Sequence, residues 1–235
     1  MSEHGGPLFD RDGWWDPKCR AFASLRSVSA FRLELLRRWW PGSWQGRTVV
    51  DLGCGGGLLA VPLAEAGARV VGVDLARRAL QEARRRQVPA FLPLVGDLAC
   101  VPVAPASADL VLLADVLEHV DHPAAAVSEA ARLLRPGGLL FVNTIDRTVR
   151  SRLFAIVLGE GLGFIPRGTH VWQRFVRPDE LEAMAATAGL VRRQRTGEAP
   201  RLLRTVSARA VVLRESRTLA VGYAALYGKP PASGA

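Results

Sequence analysis

The sequence predicts an α/β fold: a doubly wound, mostly parallel sheet of seven strands with helices on both faces. Three observations predict it. Between residues 47 and 144, short runs rich in β-branched residues alternate with helical stretches, as a series of βαβ units requires. The runs are apolar throughout, which is typical of strands buried on both faces. A glycine-rich segment, GCGGG, follows the first run, where such folds turn from strand to helix.

The elements of this core follow one another in a regular order. Five strands are predicted in RTVVDL, ARVVGVD, AFLPLVGD, ADLVLLAD and LLFVNT, and three helices in GLLAVPLAEAG, LARRALQEARRRQ and HPAAAVSEAARLL. Gly67 is expected to end the first of these helices, and Pro136-Gly137-Gly138 to stop the third before the fifth strand. An antiparallel strand pair, residues 190–198 and 218–228, is expected to close one edge of the sheet.

The segments outside this core are expected to complete a single domain over residues 1–235. Residues 1–46 are predicted to form a cap with one or two helices in 21–40, ahead of the core at 47–146. Residues 147–189 form an insertion whose last helix starts at Pro178, and residues 190–235 hold the closing strands and a tail. Residues 153–165 are apolar but too short to span a bilayer. They are predicted to be either a lid helix or, over 150–167, a contact with an anionic membrane surface.

Composition narrows the class of protein. The 235 residues carry a formal net charge of +9, but nearly all of the positive charge is arginine on alanine-rich helices, so nucleic acid is not the expected partner. The three cysteines lie far apart without a C-x-x-C pair, which argues against a disulfide framework and a zinc cluster. Without a membrane-spanning run or a signal-like N-terminus, we expect a cytoplasmic protein, free or peripheral at the inner membrane face.

The glycine segment, residues 53–57, predicts a ligand. It follows a strand and opens a helix, so its backbone N–H groups are expected to face a ligand where no Cβ interferes. Leu58 occupies the sixth position of the G-x-G-x-x-G pattern, which disfavours a dinucleotide. Asp74 ends the second strand, 21 residues after Gly53, where a carboxylate can accept from both ribose hydroxyls. Asp97 follows the third strand, where it can accept from an adenine amino group, so a nucleoside cofactor is predicted.

These motifs, DLGCGGG, GVD, GD, ADLVLLADVLEHV and LRPGGLLFVNT in this order, resemble the class I S-adenosylmethionine methyltransferases. WWD at residues 14–16, SRLFAIVLGE and IPRGTHVWQRFVRPDEL narrow the resemblance to the ubiquinone-biosynthesis O-methyltransferases, over residues 14 to about 190. The resemblance implies a Rossmann-like fold and S-adenosylmethionine as the cofactor. The residues expected to bind it are Arg32, Asp51, Gly53, Cys54, Gly55, Asp74, Leu75, Asp97, Leu98 and Ala114.

The end of the fourth strand holds the candidate chemistry. A phenol, with a pKa near ~10, must lose its proton to a base or meet a metal ion. If the segment after this strand is helical, Asp115, Glu118 and His119 share one face and can hold Mg²⁺, and the resembled family has an acid-x-x-Glu-His motif here that is linked to divalent metal. In the other interpretation, His119 and Glu118 act without a metal, as base or substrate contacts. His170 is a further catalytic candidate.

The predicted function is S-adenosylmethionine-dependent O-methylation of a phenol or catechol hydroxyl, by resemblance a step of ubiquinone biosynthesis. The acceptor is expected to be a small aromatic compound, bare or lipid-tailed. Two alternatives stay open. Residues 199–216 do not resemble the family's segment, which would suit an acceptor from a secondary-metabolite pathway. A non-catalytic cofactor-binding or RNA-binding partner protein is the alternative from another class.

Overall fold

A computed structural model describes residues 6–231 of the chain, with side chains from residue 8 onward. The strands are β1 Thr48–Leu52, β2 Arg69–Asp74, β3 Phe91–Val95, β4 Ala108–Ala114, β5 Leu134–Ile145, β6 Val191–Pro200, β7 Leu213–Ser216 and β8 Gly222–Gly228. They form one sheet in the order β3-β2-β1-β4-β5-β8-β6-β7. The first five strands are parallel, and β8, β6 and β7 add to this sheet in antiparallel fashion. The predicted doubly wound sheet is confirmed, with eight strands instead of seven.

Helices and single turns connect these strands. The helices are α1 Gly6–Phe9, α2 Ala23–Trp39, α3 Ala60–Glu65, α4 Arg77–Arg84, α5 Pro123–Leu133, α6 Val149–Ser151, α7 Pro178–Thr187 and α8 Leu202–Ala208. A π-helical segment covers Arg152–Glu160 within the predicted insertion. The long N-terminal helix is confirmed as α2, and α7 begins at Pro178 as predicted because proline fits the first helical turn.

Side chains of the central strands alternate between two apolar cores, one on each face of the sheet. Val50 and Val111 pack on one face with residues of α5 and α7. Val49 and Leu110 pack on the other face with residues of α2 and α3. All four of these valine and leucine side chains are fully buried, so helices cover both faces, as the continuous apolar runs predict.

Two local expectations were wrong. α5 ends at Leu133, and Pro136-Gly137-Gly138 therefore lie inside β5 instead of stopping the helix. Ala108 pairs with Leu134 whereas Leu110 pairs with Leu139, so residues 135–138 bulge out of the ladder. The strand β7 was missed because its four residues, LRES, have no apolar alternation that would predict a strand.

The order of the strands creates a crevice at the carboxyl end of β1. This strand lies between β2 and β4, and the chain proceeds outward from it in both directions, which is where open parallel sheets bind ligands. The division into cap, core, insertion and closing strands stays a prediction, and the last four residues of the predicted tail lie outside the described range. Across residues 6–231, no helix combines the length and apolar character needed to cross a bilayer.

Candidate functional site

A cavity of about 1340 Å³ opens at the carboxyl ends of β1, β2 and β4. Sites for a single small ligand usually measure about 300 to 1000 Å³, so this cavity has room for more than one molecule. All ten residues predicted to bind a cofactor line it. The structure therefore brings together residues from four strand ends and from α2 that are far apart in the sequence.

The glycine segment forms a tight turn between β1 and α3. Gly53, Gly55 and Gly57 have φ angles of 78°, 49° and 79°, in the left-handed region that favours glycine. The backbone N–H groups of Gly53 and Cys54 donate to the carbonyl of Val73, at 2.8 and 3.2 Å. These two amides are thus used to tie the loop to β2, and helix α3 begins only at Ala60.

The prediction that the glycines leave space for a ligand was wrong for Gly55 and Gly56. A Cβ at Gly55 or Gly56 would overlap the indole of Trp14, which lies directly on this backbone. The neighbouring Trp15 donates its indole N–H to the carbonyl of Gly56 at 2.7 Å. The chain's own N-terminal segment, and not a ligand, therefore occupies the space beside these two glycines, while Gly53, Cys54 and Gly55 still form a wall of the cavity.

The Asp74 carboxylate lies at the end of β2 and is held by two backbone N–H groups. Its Oδ2 accepts from Gly55 at 2.7 Å and its Oδ1 from Ala76 at 2.8 Å. Burial raises its pKa, which these two hydrogen bonds oppose. Each carboxylate oxygen keeps a lone pair for a further donor, so Asp74 retains the acceptor capacity that the predicted ribose contact requires.

Asp51 lies deeper in the same wall, at the end of β1, and is only 2% exposed. Burial, and then the charge of Asp74, raise the pKa of its carboxyl to about 7. Further round the cavity, Asp97 accepts from the backbone N–H of Ala99 at 2.9 Å. Apolar surface between the acids comes from Leu75, Leu98 and Ala114. Acids at strand ends separated by apolar surface fit the sugar and base of a nucleoside.

Arg32 projects from α2 into the cavity and is almost completely buried. Its guanidinium forms ion pairs with Asp115, which follows β4, and with Glu198 on β6. Although burial opposes the charged form, these two carboxylates raise the pKa of Arg32. Glu198 also lines the cavity but was missed, because it is 166 residues from Arg32 in the sequence.

The segment after β4 is not helical, so the condition under which Asp115, Glu118 and His119 would share one helical face is not met. Asp115 has a left-handed φ of 54°, and the following residues form turns. The Asp115 carboxylate faces Arg32 and accepts from the Asn143 amide at 3.1 Å, while Glu118 accepts from the Thr144 hydroxyl at 2.7 Å. In the part of the chain that is described, no three His, Cys, Asp or Glu side chains are grouped closely enough for a metal ion. As placed, these residues do not fit the predicted Mg²⁺ site.

Glu118 and His119 differ in their access to the cavity. Glu118 is buried beside it, and burial, followed by the charge of Asp115, raises its pKa to about 7. His119 lines the cavity, and burial, followed by the neighbouring His170, lowers its pKa to about 4. Neutral His119 stacks on His170 with ring centroids 5.9 Å apart. The two histidines predicted as catalytic are therefore brought together.

Glu160, at the end of the π-helical segment, fixes His170. The Nδ1 atom of His170 lies 3.0 Å from Oε1 of Glu160, and Glu160 also accepts the backbone N–H groups of Gly168 and His170. A carboxylate at Nδ1 selects the tautomer that leaves Nε2 basic. Glu160 was missed, although one signal could have found it: it is the only charged residue between Arg152 and Arg167.

Comparisons with known proteins agree with this architecture. Residues 50–142 match the sequence model described as "Methyltransferase domain". The ubiquinone biosynthesis O-methyltransferase of Bordetella avium is 40% identical over 184 residues, which cover 75% of each chain. The protein of the same name from Idiomarina loihiensis is 41% identical over 184 residues, covering 75% of this chain and 74% of that one.

Solved structures share the fold at lower identity. A methyltransferase from Thermotoga maritima superposes with a TM-score of 0.67 at 22% identity, covering 96% of this chain and 99% of that chain. The magnesium protoporphyrin IX methyltransferase of Synechocystis, determined with bound SAH, gives a TM-score of 0.63 at 21% identity, covering 95% and 92%.

Proposed function

The chain belongs to the ubiquinone biosynthesis O-methyltransferase family and is an S-adenosylmethionine-dependent methyltransferase; from that premise we propose that it methylates a phenol or catechol hydroxyl. One observation carries this proposal. The wall of acids and glycines around Asp74 and the pair His119 and His170 line the same cavity. A methyl donor and a weakly acidic hydroxyl can therefore meet inside it.

The donor's sugar and base match the walls described above. We assign ribose binding to Asp74, the adenine amino group to Asp97, and the faces of the base to Leu75 and Leu98. When bound, S-adenosylmethionine supplies an electrophilic methyl group on a positively charged sulfur. Because that charge disperses as oxygen attacks, the chain's main tasks are in-line positioning of the hydroxyl and exclusion of water.

His170 is our candidate for the base that removes the hydroxyl proton. The Glu160 carboxylate at Nδ1 leaves Nε2 to accept this proton and stabilises the imidazolium that forms. His119 is a poor base, since its pKa of about 4 keeps it neutral and gives little driving force for protonation. We assign it to contact with the ring of the acceptor. Glu118 does not line the cavity, and we assign it to holding Thr144 beside Asp115.

The acceptor is proposed to carry an apolar tail. Beyond the histidines, the cavity is lined by Phe154 and Leu158 of the π-helical segment and by Leu202 and Val206 of α8. Its volume of about 1340 Å³ exceeds the usual range for a single small ligand, about 300 to 1000 Å³. We propose a lipid-tailed quinone precursor, in keeping with the similarity to ubiquinone biosynthesis O-methyltransferases.

Residues 150–167 are proposed to contact a membrane surface from which such an acceptor would enter. Apolar side chains on this segment point outward beside three arginines at 150, 152 and 167; the exposed ones are Leu153, Val157 and Leu162. This combination suits an anionic lipid surface. The same segment also lines the cavity from inside, which supports our proposal that it closes the cavity as a lid.

The alternative acceptor, from a secondary-metabolite pathway, has one observation in its favour. Residues 199–216, which do not resemble the family, form α8 and β7 and contribute Leu202, Thr205 and Leu213 to the cavity. A family member with a remodelled wall would accept a differently shaped phenol.

The test is turnover with S-adenosylmethionine and a matched set of acceptors: catechol, a short-chain prenylated catechol and a long-chain one, with product mass as the readout. We expect methylated product, at a rate that rises with the apolar tail. Equal rates for all three would favour a bare phenol. Reactions run in parallel with EDTA separate base-assisted from metal-assisted activation, because only the latter loses turnover. Salt-sensitive RNA binding without methylation of any phenol would contradict the proposal.

A further inference from the structure

Glu198 holds one edge of the Arg32 guanidinium. Nε of Arg32 donates toward both carboxylate oxygens, at 3.4 and 3.3 Å, and Nη2 donates to Oε2 at 3.0 Å. Glu198 is 2% exposed and Arg32 is 5% exposed. A side-on arginine–carboxylate pair of this kind fixes orientation as well as charge, because both groups are planar.

The remaining donors of Arg32 can be counted. A guanidinium has five N–H groups. Glu198 uses the one on Nε and one on Nη2, and Asp115 uses one on Nη1. One N–H on each terminal nitrogen is left after these contacts within the described residues, and Arg32 lines the cavity. Two N–H groups at the end of a guanidinium match the two oxygens of a carboxylate.

We propose that Glu198 is a positioning residue of the methyl-donor site, which holds Arg32 so that its two remaining N–H groups bind the α-carboxylate of the donor's amino-acid end. This inference rests on the donor placement of the proposed function. Arginine side chains carry several rotatable bonds, and ordering one on ligand binding costs affinity. Because Glu198 orders Arg32 before the donor binds, donor binding does not include the entropic cost of ordering this side chain.

The placement of Glu198 gives the proposal a structural consequence. Glu198 lies on β6, opposite Gly222 of β8, and residues 199–216 follow directly after it. The strand that leads into the acceptor wall thus also holds the arginine proposed for the donor. Loss of the Glu198 carboxylate should therefore weaken binding of the donor's amino-acid end and leave binding of its adenosine unchanged.

The experiment compares two ligands on one variant. Glu198→Ala is titrated calorimetrically with S-adenosylhomocysteine and with 5′-methylthioadenosine, which has the same adenosine but no amino-acid end. We expect the dissociation constant of S-adenosylhomocysteine to rise by about tenfold or more, the scale of a charge-assisted contact, and that of methylthioadenosine to change less than about twofold. Glu198→Gln, which keeps the acceptor oxygen, should recover part of the loss.

A matched control lies on the same sheet edge. Glu215 of β7 pairs with Arg38 of α2 at 2.6 Å on the exposed surface, so Glu215→Ala removes an ion pair between α2 and this edge away from the cavity. It should leave both dissociation constants unchanged. In turnover, Glu198→Ala should raise KM for the donor with kcat nearly unchanged.

Three results would overturn the proposal: equal weakening of both ligands, which would mean a general structural role; unchanged binding of S-adenosylhomocysteine; or tighter binding, which would mean that Glu198 competes for Arg32. If Glu198→Ala does not fold, the same comparison is made with Glu198→Gln, for which a preferential loss of S-adenosylhomocysteine is still required. Failure of the unaltered protein to bind either ligand would instead contradict the donor site itself.

Discussion

Nδ1 of His170 lies 3.0 Å from Oε1 of Glu160, and the same carboxylate accepts two backbone N–H groups of the loop that carries this histidine. The π-helical segment and the loop after it are thereby joined at one buried carboxylate. The pair has the arrangement of a base and the group that orients it. This relationship separates the roles of the two histidines that line the cavity.

Replacing His170 by Gln should lower kcat by about 10²- to 10⁴-fold, the usual contribution of a positioned general base. Donor binding should be unchanged, since His170 is not among the residues assigned to it. Glu160→Gln should give a smaller loss, because Nε2 stays in place but the imidazolium loses its carboxylate. The readouts are initial rates and calorimetry. Glu65→Gln, an exposed substitution on α3, is the control, and a kcat for His170→Gln equal to the unaltered value would rule out this base.

The pH profile tests the assignment of His119 as a neutral contact. Since the pKa of His119 is lowered to about 4, this side chain stays neutral from pH 5 upward and should not titrate in the activity profile. His119→Gln should therefore leave the acidic limb of kcat/KM where it is in the unaltered protein. A shift of that limb in His119→Gln would show that His119 titrates in the activity profile.

Asp74→Ala should weaken binding of S-adenosylhomocysteine by about 1 to 3 kcal/mol, because the ribose hydroxyls lose a charged acceptor. Calorimetry at fixed pH and salt measures this. The control is Asp179→Ala, an exposed acid on α7 whose ion pair with Arg177 lies on the surface, for which no change is expected. Undiminished affinity in Asp74→Ala would place the ribose elsewhere.

Two glycine substitutions isolate the contact with Trp14. Gly55 and Gly137 both have left-handed φ angles, 49° and 78°, but a Cβ at Gly137 meets nothing within 4 Å, whereas one at Gly55 overlaps the Trp14 indole. Gly137→Ala should cost about 1 kcal/mol of unfolding free energy from backbone strain. Gly55→Ala should cost about 1 to 3 kcal/mol more from overpacking. Equal losses of unfolding free energy for the two variants, measured by urea unfolding, would show that the Trp14 indole moves aside without an energetic penalty.

Stability should depend on pH through Asp51, whose pKa is raised by burial and by Asp74 to about 7. A carboxyl with a raised pKa contributes stability that is fully present below its ordinary pKa and is lost as pH rises through about 7. The unaltered protein should therefore lose up to about 1.4 kcal/mol per pH unit relative to Asp51→Asn between pH 4 and 7. Comparison with the variant cancels the opposing effect of His119. Parallel stability curves for the two proteins would contradict the shift.

The sequence predicted those parts of the site that depend on local pattern. Asp74 and Asp97 were placed correctly because apolar runs identify strands and acids follow them at their carboxyl ends. Trp14 and Glu198 were missed, because each acts by packing or pairing across a long sequence separation, 166 residues for Glu198 and Arg32. Glu160 was missed although only ten residues separate it from His170, because a lone acid in an apolar run does not show which side chain it pairs with. The i, i+3, i+4 spacing of Asp115, Glu118 and His119 allowed a shared helical face, but such spacing does not show that Asp115 adopts a left-handed φ.

The indole of Trp14 on the backbone of Gly55 and Gly56 has a consequence for how much of the chain is needed to make the enzyme. A fragment that begins after residue 20 would keep every strand and the acids at their ends, yet it would leave an open trough where the tryptophan had filled the turn. Proteolytic trimming from the amino terminus should therefore abolish donor affinity before it disturbs the sheet.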